Sequence, residues 1–411
     1  MDSRDRVMEA LAGNKQDTPP VAIFTQSATV SQMEATGASW PQAHRDPAAM
    51  AALGCAQHEM FGFESVRVPF DITAEAERLG CGVDLGTLDN PPFITSRAID
   101  GDPFGELPEP DLPDAAEYAS EGATATVVEA VSLCAKKTDG EVAVCAGLLG
   151  PVGLMGQLMS VESMAMASLG NPEWFSRCAE GLAKLQSEYA KALRDAGADV
   201  ITIVESEASA EILDPSVYVE FSGRHMRTIA PSGDVRTVMH MCGHCEPNLE
   251  DFSNTGVDAL SPDQCVTAEA VLEGLKGRIR VAGSVDPVGT MLLGTPDKIV
   301  AEARAYAEAG YDVITPGCGV APRTPDENMR ALAQSMRARS RARGNWDIHV
   351  KRYRWHGLPH HLPGHRRRTP HHHVPDPLHG GLPRRAWRAL PADRPGARLP
   401  GADAEDQVRR H

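Results

Sequence analysis

Along the first 340 or so residues, short apolar runs alternate with longer stretches in which apolar side chains recur every three or four positions. The runs Val21–Phe24, Glu64–Phe70, Val142–Leu149, Asp199–Val204, Val235–Met239, Ala259–Ser261, Ile279–Ala282 and Asp312–Thr315 read as eight strands. Helical periodicity predicts helices over Pro47–Leu53, Ala74–Glu77, Ala123–Lys137, Ser160–Leu169, Glu173–Ala196, Pro215–Ile229 and 247–255. Three more follow at Ala268–Leu275, Asp297–Ala309 and Pro325–Met336, while Arg4–Leu11 precedes the first strand as a helical extension. Residues 87–120, rich in Pro, Asp and Gly, break the alternation as an irregular excursion.

Eight strands, each followed by helix, is the count of an α/β protein built as a (β/α)8 TIM barrel. The strands lack strict polar alternation, which suits a parallel sheet covered on both faces. A doubly wound open sheet is the alternative, but no G-x-G-x-x-G follows the first strand. The expected domain is 1–345. Residues 346–411 are dense in Arg, His and Pro without apolar periodicity, and read as a disordered or frame-shifted tail.

Charge follows the same division. Residues 1–350 carry 27 basic and 51 acidic side chains, a balance of −24, which argues against a nucleic-acid surface. No apolar run approaches the roughly 18 residues of a membrane span, and the charged start Met1-Asp2-Ser3-Arg4-Asp5 has no secretory h-region behind it. Nine cysteines, scattered singly for the most part, look like reduced thiols of a cytoplasmic protein.

The chemistry concentrates at two predicted strand ends. In VRTVMHMCGHC, His240 and Cys242 are two apart on an extended segment, so both side chains face one way. Cys318, in VITPGCGVAP, ends another strand. Three N/S donors with a fourth position left open or labile is the pattern of a catalytic zinc. Cys242-Gly243-His244-Cys245 is also a C-x-x-C, as in disulfide exchange, but the long βα pattern does not suit a thioredoxin-like domain. Glu205, delivered by the fourth strand, would reach the same rim of a barrel.

These residues carry a resemblance. The sequence from the first helix to about residue 340 resembles the methylcobamide:coenzyme M methyltransferases, a zinc branch of the uroporphyrinogen decarboxylase superfamily. The likeness rests on the N-terminal stretch RDRVMEALAGNKQDTPPVAIF and its continuation, on VPFDITAEAERLGC, on LLGPVGL, and on HMCG and TPGCGVAP. It implies that His240, Cys242 and Cys318 ligate Zn2+, with Glu205 as a displaceable fourth ligand and Glu207 as its rival. It also implies methyl transfer from a methylcobamide, carried on a separate corrinoid protein, to the thiol of coenzyme M. Folate or another thiol is the alternative acceptor. The decarboxylases of the superfamily look to bind their tetracarboxylate substrate through arginines after the first strand, whereas TQSATVSQMEATG here has none. A sulfonate substrate needs a cation, and Arg67 and Arg323 are the candidates.

Overall fold

The computed structural model describes residues 1–230 and 233–337. The predicted tail, 346–411, lies outside them. Six parallel strands form one sheet in the order β1 (Ser65–Val68), β4 (Ala143–Leu149), β5 (Val200–Val204), β6 (Arg236–Met241), β7 (Ala259–Pro262) and β8 (Arg280–Val281). A small antiparallel pair, β2 (Gly82–Asp84) and β3 (Phe93–Ser96), stands apart from it.

Single bridges complete the ring. Ala282 pairs with Val313, Val285 with Pro316, and Val21 with Ile314, all parallel. Residues 21–24 then meet the start of β1 through one backbone bond, Glu64 N to Val21 O at 2.8 Å, and through side chains. Glu64 accepts from the Val21 amide at 2.9 Å, and the Ser65 hydroxyl lies between Ile23 N (2.7 Å) and Ile23 O (3.2 Å). The first and last predicted strands are therefore in place but lack regular ladders, because Ser65 and Glu64 take up backbone groups that a neighbouring strand would otherwise pair.

The barrel interior is filled by small and β-branched residues, Ala143, Cys145, Val200, Val238, Ala259, Ala282 and Val313, together with Ala22 and Phe24. The N-terminal helix Ser3–Leu11 packs Val7, Ala10 and Leu11 into this same cluster, so it closes the end opposite the strand C-termini. Asp2 starts that helix, its carboxylate accepting from Asp5 N.

Several predicted boundaries move. Pro69, without an N–H, follows β1 directly, so that strand ends at Val68. The predicted helix 215–229 is split into Pro215–Phe221, a 3-10 turn Gly223–His225 and Met226–Ile229. Helices Val30–Thr36 and Pro151–Met159 are additional, and the excursion 87–120 holds β3 and the helix Ala115–Ser120. Among the described residues no helix is long and apolar enough to cross a membrane.

At the C-terminal end of β4 the buried Glu75 accepts from Leu149 N at 2.6 Å and from the Tyr118 hydroxyl at 3.1 Å. Burial pushes its carboxyl up to about 7, against those hydrogen bonds. The folded chain thus holds a proton there that the unfolded chain releases, and stability falls as pH rises from about 4.5 to about 7. Glu75→Gln should remove this dependence, on the order of 3 kcal/mol across the window. Melting temperatures measured from pH ~5 to ~8 should then decline less in the variant than in the native chain.

Candidate metal centre

β6 is longer at its end than the apolar run predicts, so His240 is a strand residue and Cys242 is the first residue past the strand. His240 pairs in register with Val204 on β5 and with Ser261 on β7. Its Nδ1 is 3.0 Å from the Ser261 carbonyl oxygen and 3.3 Å from the Ser261 hydroxyl. A carbonyl only accepts, so Nδ1 carries the proton and Nε2 presents a lone pair.

That lone pair meets sulfur. Nε2 lies 3.2 Å from Cys242 Sγ, which in turn lies 3.4 Å from Cys318 Sγ. The three donor atoms all fall within 4.8 Å of one another. Cys318 is brought there by the closing segment of the ring. Gly317 N donates to Val285 O at 2.8 Å, and Thr25 Oγ1 donates to Cys318 O at 2.8 Å. A side chain at Gly317 would place its Cβ 2.5 Å from Gln264 Oε1.

The donor set fits zinc. An S–S bond measures about 2.05 Å, so the two sulfurs are neighbours and not a disulfide. Tetrahedral zinc, with Zn–S of about 2.3 Å and Zn–N of about 2.0 Å, puts such donors roughly 3.5–3.8 Å apart. The observed spacings are a few tenths of an ångström shorter. The carbonyl partner on the far ring nitrogen is also what metal-binding imidazoles use to hold tautomer and orientation. Hydrogen bonding from Cys318 pulls the Cys242 thiol below its ordinary value, against burial, while the same contact and burial push Cys318 up.

Glu205 directly follows β5, fully buried, and its amide donates to His240 O at 3.0 Å. Its carboxylate faces the start of the helix Pro151–Met159, accepting from Val152 N at 3.1 Å and Gly153 N at 2.7 Å, and also from the Ser222 hydroxyl. The helix has no capping side chain of its own at Gly150, so Glu205 supplies the anion at its N-terminus. The glycines of LLGPVGL make room for it: a Cβ at Gly150 would come within 2.3 Å of Oε2, and at Gly153 within 2.9 Å. Burial raises Glu205 to about 7 against these hydrogen bonds. Glu205 is not part of the three-residue group around the sulfurs. Glu207 is partly buried, and desolvation raises its carboxyl; its Oε1 receives a long bond from Gln157 (3.4 Å) and its Oε2 has no partner among the described residues.

The other candidates separate. Arg67 is buried inside the barrel wall on β1. Arg323 is 72% exposed and paired with Asp89 at 2.8 Å through Nε. His244 is half exposed beside Glu246 and Glu211, while Cys245 is buried as a free thiol. The C-x-x-C does not close on itself. Sequence reasoning missed Ser261, Ser222 and the two helix-start glycines; GPVG after an apolar run was the one visible signal, since Pro suits the first turn.

A parallel α/β ring that gathers an imidazole and two sulfurs at its C-terminal rim is a barrel with a donor set that could hold a metal ion. The uroporphyrinogen decarboxylase family model matches residues 2–339, and the chain belongs to that family. It is 33% identical over 330 residues to a methylcobamide:CoM methyltransferase of Methanosarcina barkeri, covering 80% of this chain and 96% of that one. A methylcobamide:CoM methyltransferase of Methanosarcina mazei is 33% identical over 344 residues, with the same coverage of 80% and 96%. Among solved structures, a methyltransferase from Methanosarcina mazei superposes with a TM-score of 0.76 at 34% identity, covering 82% of this chain and 98% of that one.

Removing the Glu205 carboxylate should strip two buried amides and a hydroxyl of their acceptor. Glu205→Ala is expected to destabilise the chain by about 3 kcal/mol or more, and Glu205→Gln by less, measured by urea unfolding at neutral pH. Equal stability of Glu205→Ala and the native chain would remove the capping role.

Proposed function

We propose that the chain is a methyltransferase that moves a methyl group from a methylated corrinoid to the thiol of coenzyme M. The observation that carries this is the His240–Cys242–Cys318 cluster at the barrel rim, in a chain one-third identical to methylcobamide:CoM methyltransferases over most of their length. The corrinoid arrives on a separate protein that docks at the strand C-terminal face, where barrels present their chemistry.

Zinc held by His240 Nε2, Cys242 Sγ and Cys318 Sγ would take the substrate sulfur as a thiolate and keep it nucleophilic, because two thiolate donors leave the site electron-rich. A free thiol, with a pKa near 8.5, is mostly protonated at neutral pH, so this activation matters for rate. In the transfer, the substrate sulfur forms a bond to the methyl carbon as the carbon–cobalt bond breaks. Cobalt leaves with the electron pair as Co(I), and the thiol proton passes to solvent.

The chain's own residues set the geometry of that step. Ser261 keeps the His240 ring from turning its other nitrogen inward. Thr25 and Val285 hold the 316–318 turn so that Cys318 faces Cys242. Glu205 is the candidate for a fourth position, and to enter it would have to exchange its bonds to Val152, Gly153 and Ser222 for the metal. X-ray absorption of the zinc-loaded chain, with and without thiol, should show an oxygen neighbour replaced by sulfur. A shell that does not change removes Glu205 from this role.

Decarboxylation of a porphyrinogen is disfavoured, because residues 25–37 bring no arginine to neutralise several carboxylates. The test is demethylation of methylcobalamin with coenzyme M, homocysteine and tetrahydrofolate in parallel. Coenzyme M should be the best acceptor. Cys318→Ala should lose bound zinc and at least about a thousandfold in rate, since thiolate activation goes with the metal. Turnover with folate alone would overturn the choice of acceptor.

A further inference from the structure

The large apolar side chains that solvent reaches are confined to one face. Met1 aside, each of them among the described residues lies in the loops, hairpin or short helices that follow a strand's C-terminal end. Phe93 and Phe104 come after β1, Leu169 after β4, Ile212 after β5, and Val288 and Leu293 after β8. This is also the face of His240, Cys242 and Cys318. Single exposed apolar residues are ordinary, but their gathering on one side marks an interaction surface.

Phe104 is held there by a built turn. Asn171 Nδ2 donates to the carbonyls of Pro103 and Gly105, at 2.7 and 3.0 Å, and Asp102 accepts from Phe104 N at 3.0 Å. The ring lies against Gly170, where a Cβ would fall 2.5 Å from its Cδ1, and Gly170 directly follows exposed Leu169. The chain therefore spends side-chain hydrogen bonds and a glycine on keeping an aromatic ring at the surface.

Charge singles out the same face. Residues 84–114 carry eight acidic side chains and one basic, Arg97. Arg97 Nη1 is committed to the carbonyls of Gly156 (3.2 Å) and Gln157 (2.7 Å), near the end of the helix that Glu205 caps. Asp89 in turn accepts from Arg323 Nε at 2.8 Å, just past Cys318. The acidic segment is thus pinned to the rim at two places. Asp100, Glu106 and Asp111 stand exposed on it. Such a surface repels a second copy of itself and favours a partner whose docking face is basic.

We propose that Phe104 and Leu169, with the acidic segment 84–114 around them, dock the corrinoid carrier, a protein whose face around the corrin is basic. The proposal rests on the methyl-transfer function above, since the cobalt-bound methyl must reach a sulfur held at this rim. The apolar pair supplies the desolvated contact, and the acidic segment steers the encounter.

Transfer to coenzyme M from two donors tests it, one being free methylcobalamin and the other a methyl-loaded corrinoid protein of Methanosarcina barkeri. The double variant Phe104→Ser, Leu169→Ser should lower kcat/KM for the protein-bound donor by about tenfold or more. Free methylcobalamin should change by less than about twofold, which also shows that the variant folds. With Asp100→Lys, Glu106→Lys and Asp111→Lys combined, the protein-bound donor should slow by a similar factor. Its rate should also lose most of its decline between ~50 and ~300 mM salt.

Equal losses on both donors, or a protein-bound donor that neither set of changes affects, overturn the surface and leave methyl transfer standing. So does a native chain that draws methyl no faster from the protein than from free methylcobalamin. A corrinoid protein that binds the native chain but not the apolar variant, where neither donor is demethylated, keeps the surface and removes the methyl-transfer function. Carbodiimide cross-links from residues 84–114 to a second copy or to residues beyond 337, and none to the corrinoid protein, give the surface to that occupant, against the proposal.

Discussion

The site depends on one register. Val204, His240 and Ser261 stand level across three neighbouring parallel strands. That alignment brings the Ser261 carbonyl to His240 Nδ1, which decides the tautomer and points Nε2 at the sulfurs. A slip of one residue would turn the imidazole to the other face of the sheet. Closure of the ring then matters as much as the strand itself, because Cys318 arrives on the segment that bridges β8 and residues 21–24.

The rim around this register is loaded with buried charge. Glu205 and Glu75 both have their carboxyls raised to about 7 by burial, while Asp71 is held down to about 2 beside His44 and Arg45, against its own burial. Each of these carboxylates also ties down backbone at a strand end or helix start. Such groups stabilise little on balance, since desolvation offsets much of what their partners return. They do hold the loops above the strands in one arrangement, and a metal site needs its donors fixed to fractions of an ångström.

Arg67 differs from these groups because its partners inside the chain are fewer than its donors. Carboxylates in the same region each find hydrogen bonds or cations, whereas the arginine's Nη1 meets one carbonyl and its Nε meets no acceptor. Exposed Arg323, by contrast, has its charge met at the surface by Asp89.

The strand and helix order was legible in the residues because short apolar runs and helical periodicity are local properties, and the period of two placed His240 and Cys242 on one face. The three-residue cluster was legible too, once each donor was assigned to a strand end. Tertiary structure alone decided the rest. The roles of Ser261 and Ser222 depend on which strand or helix lies alongside, and nothing in their own neighbourhoods states that. Glu205, an acidic residue at a strand end, looked like a ligand from its position, yet its carboxylate is held by a helix start some fifty residues earlier in the chain. Arg67 and Arg323 were equal as cations in the sequence. Burial and available counter-charge separated them, and both are properties of the folded surroundings, not of the side chain.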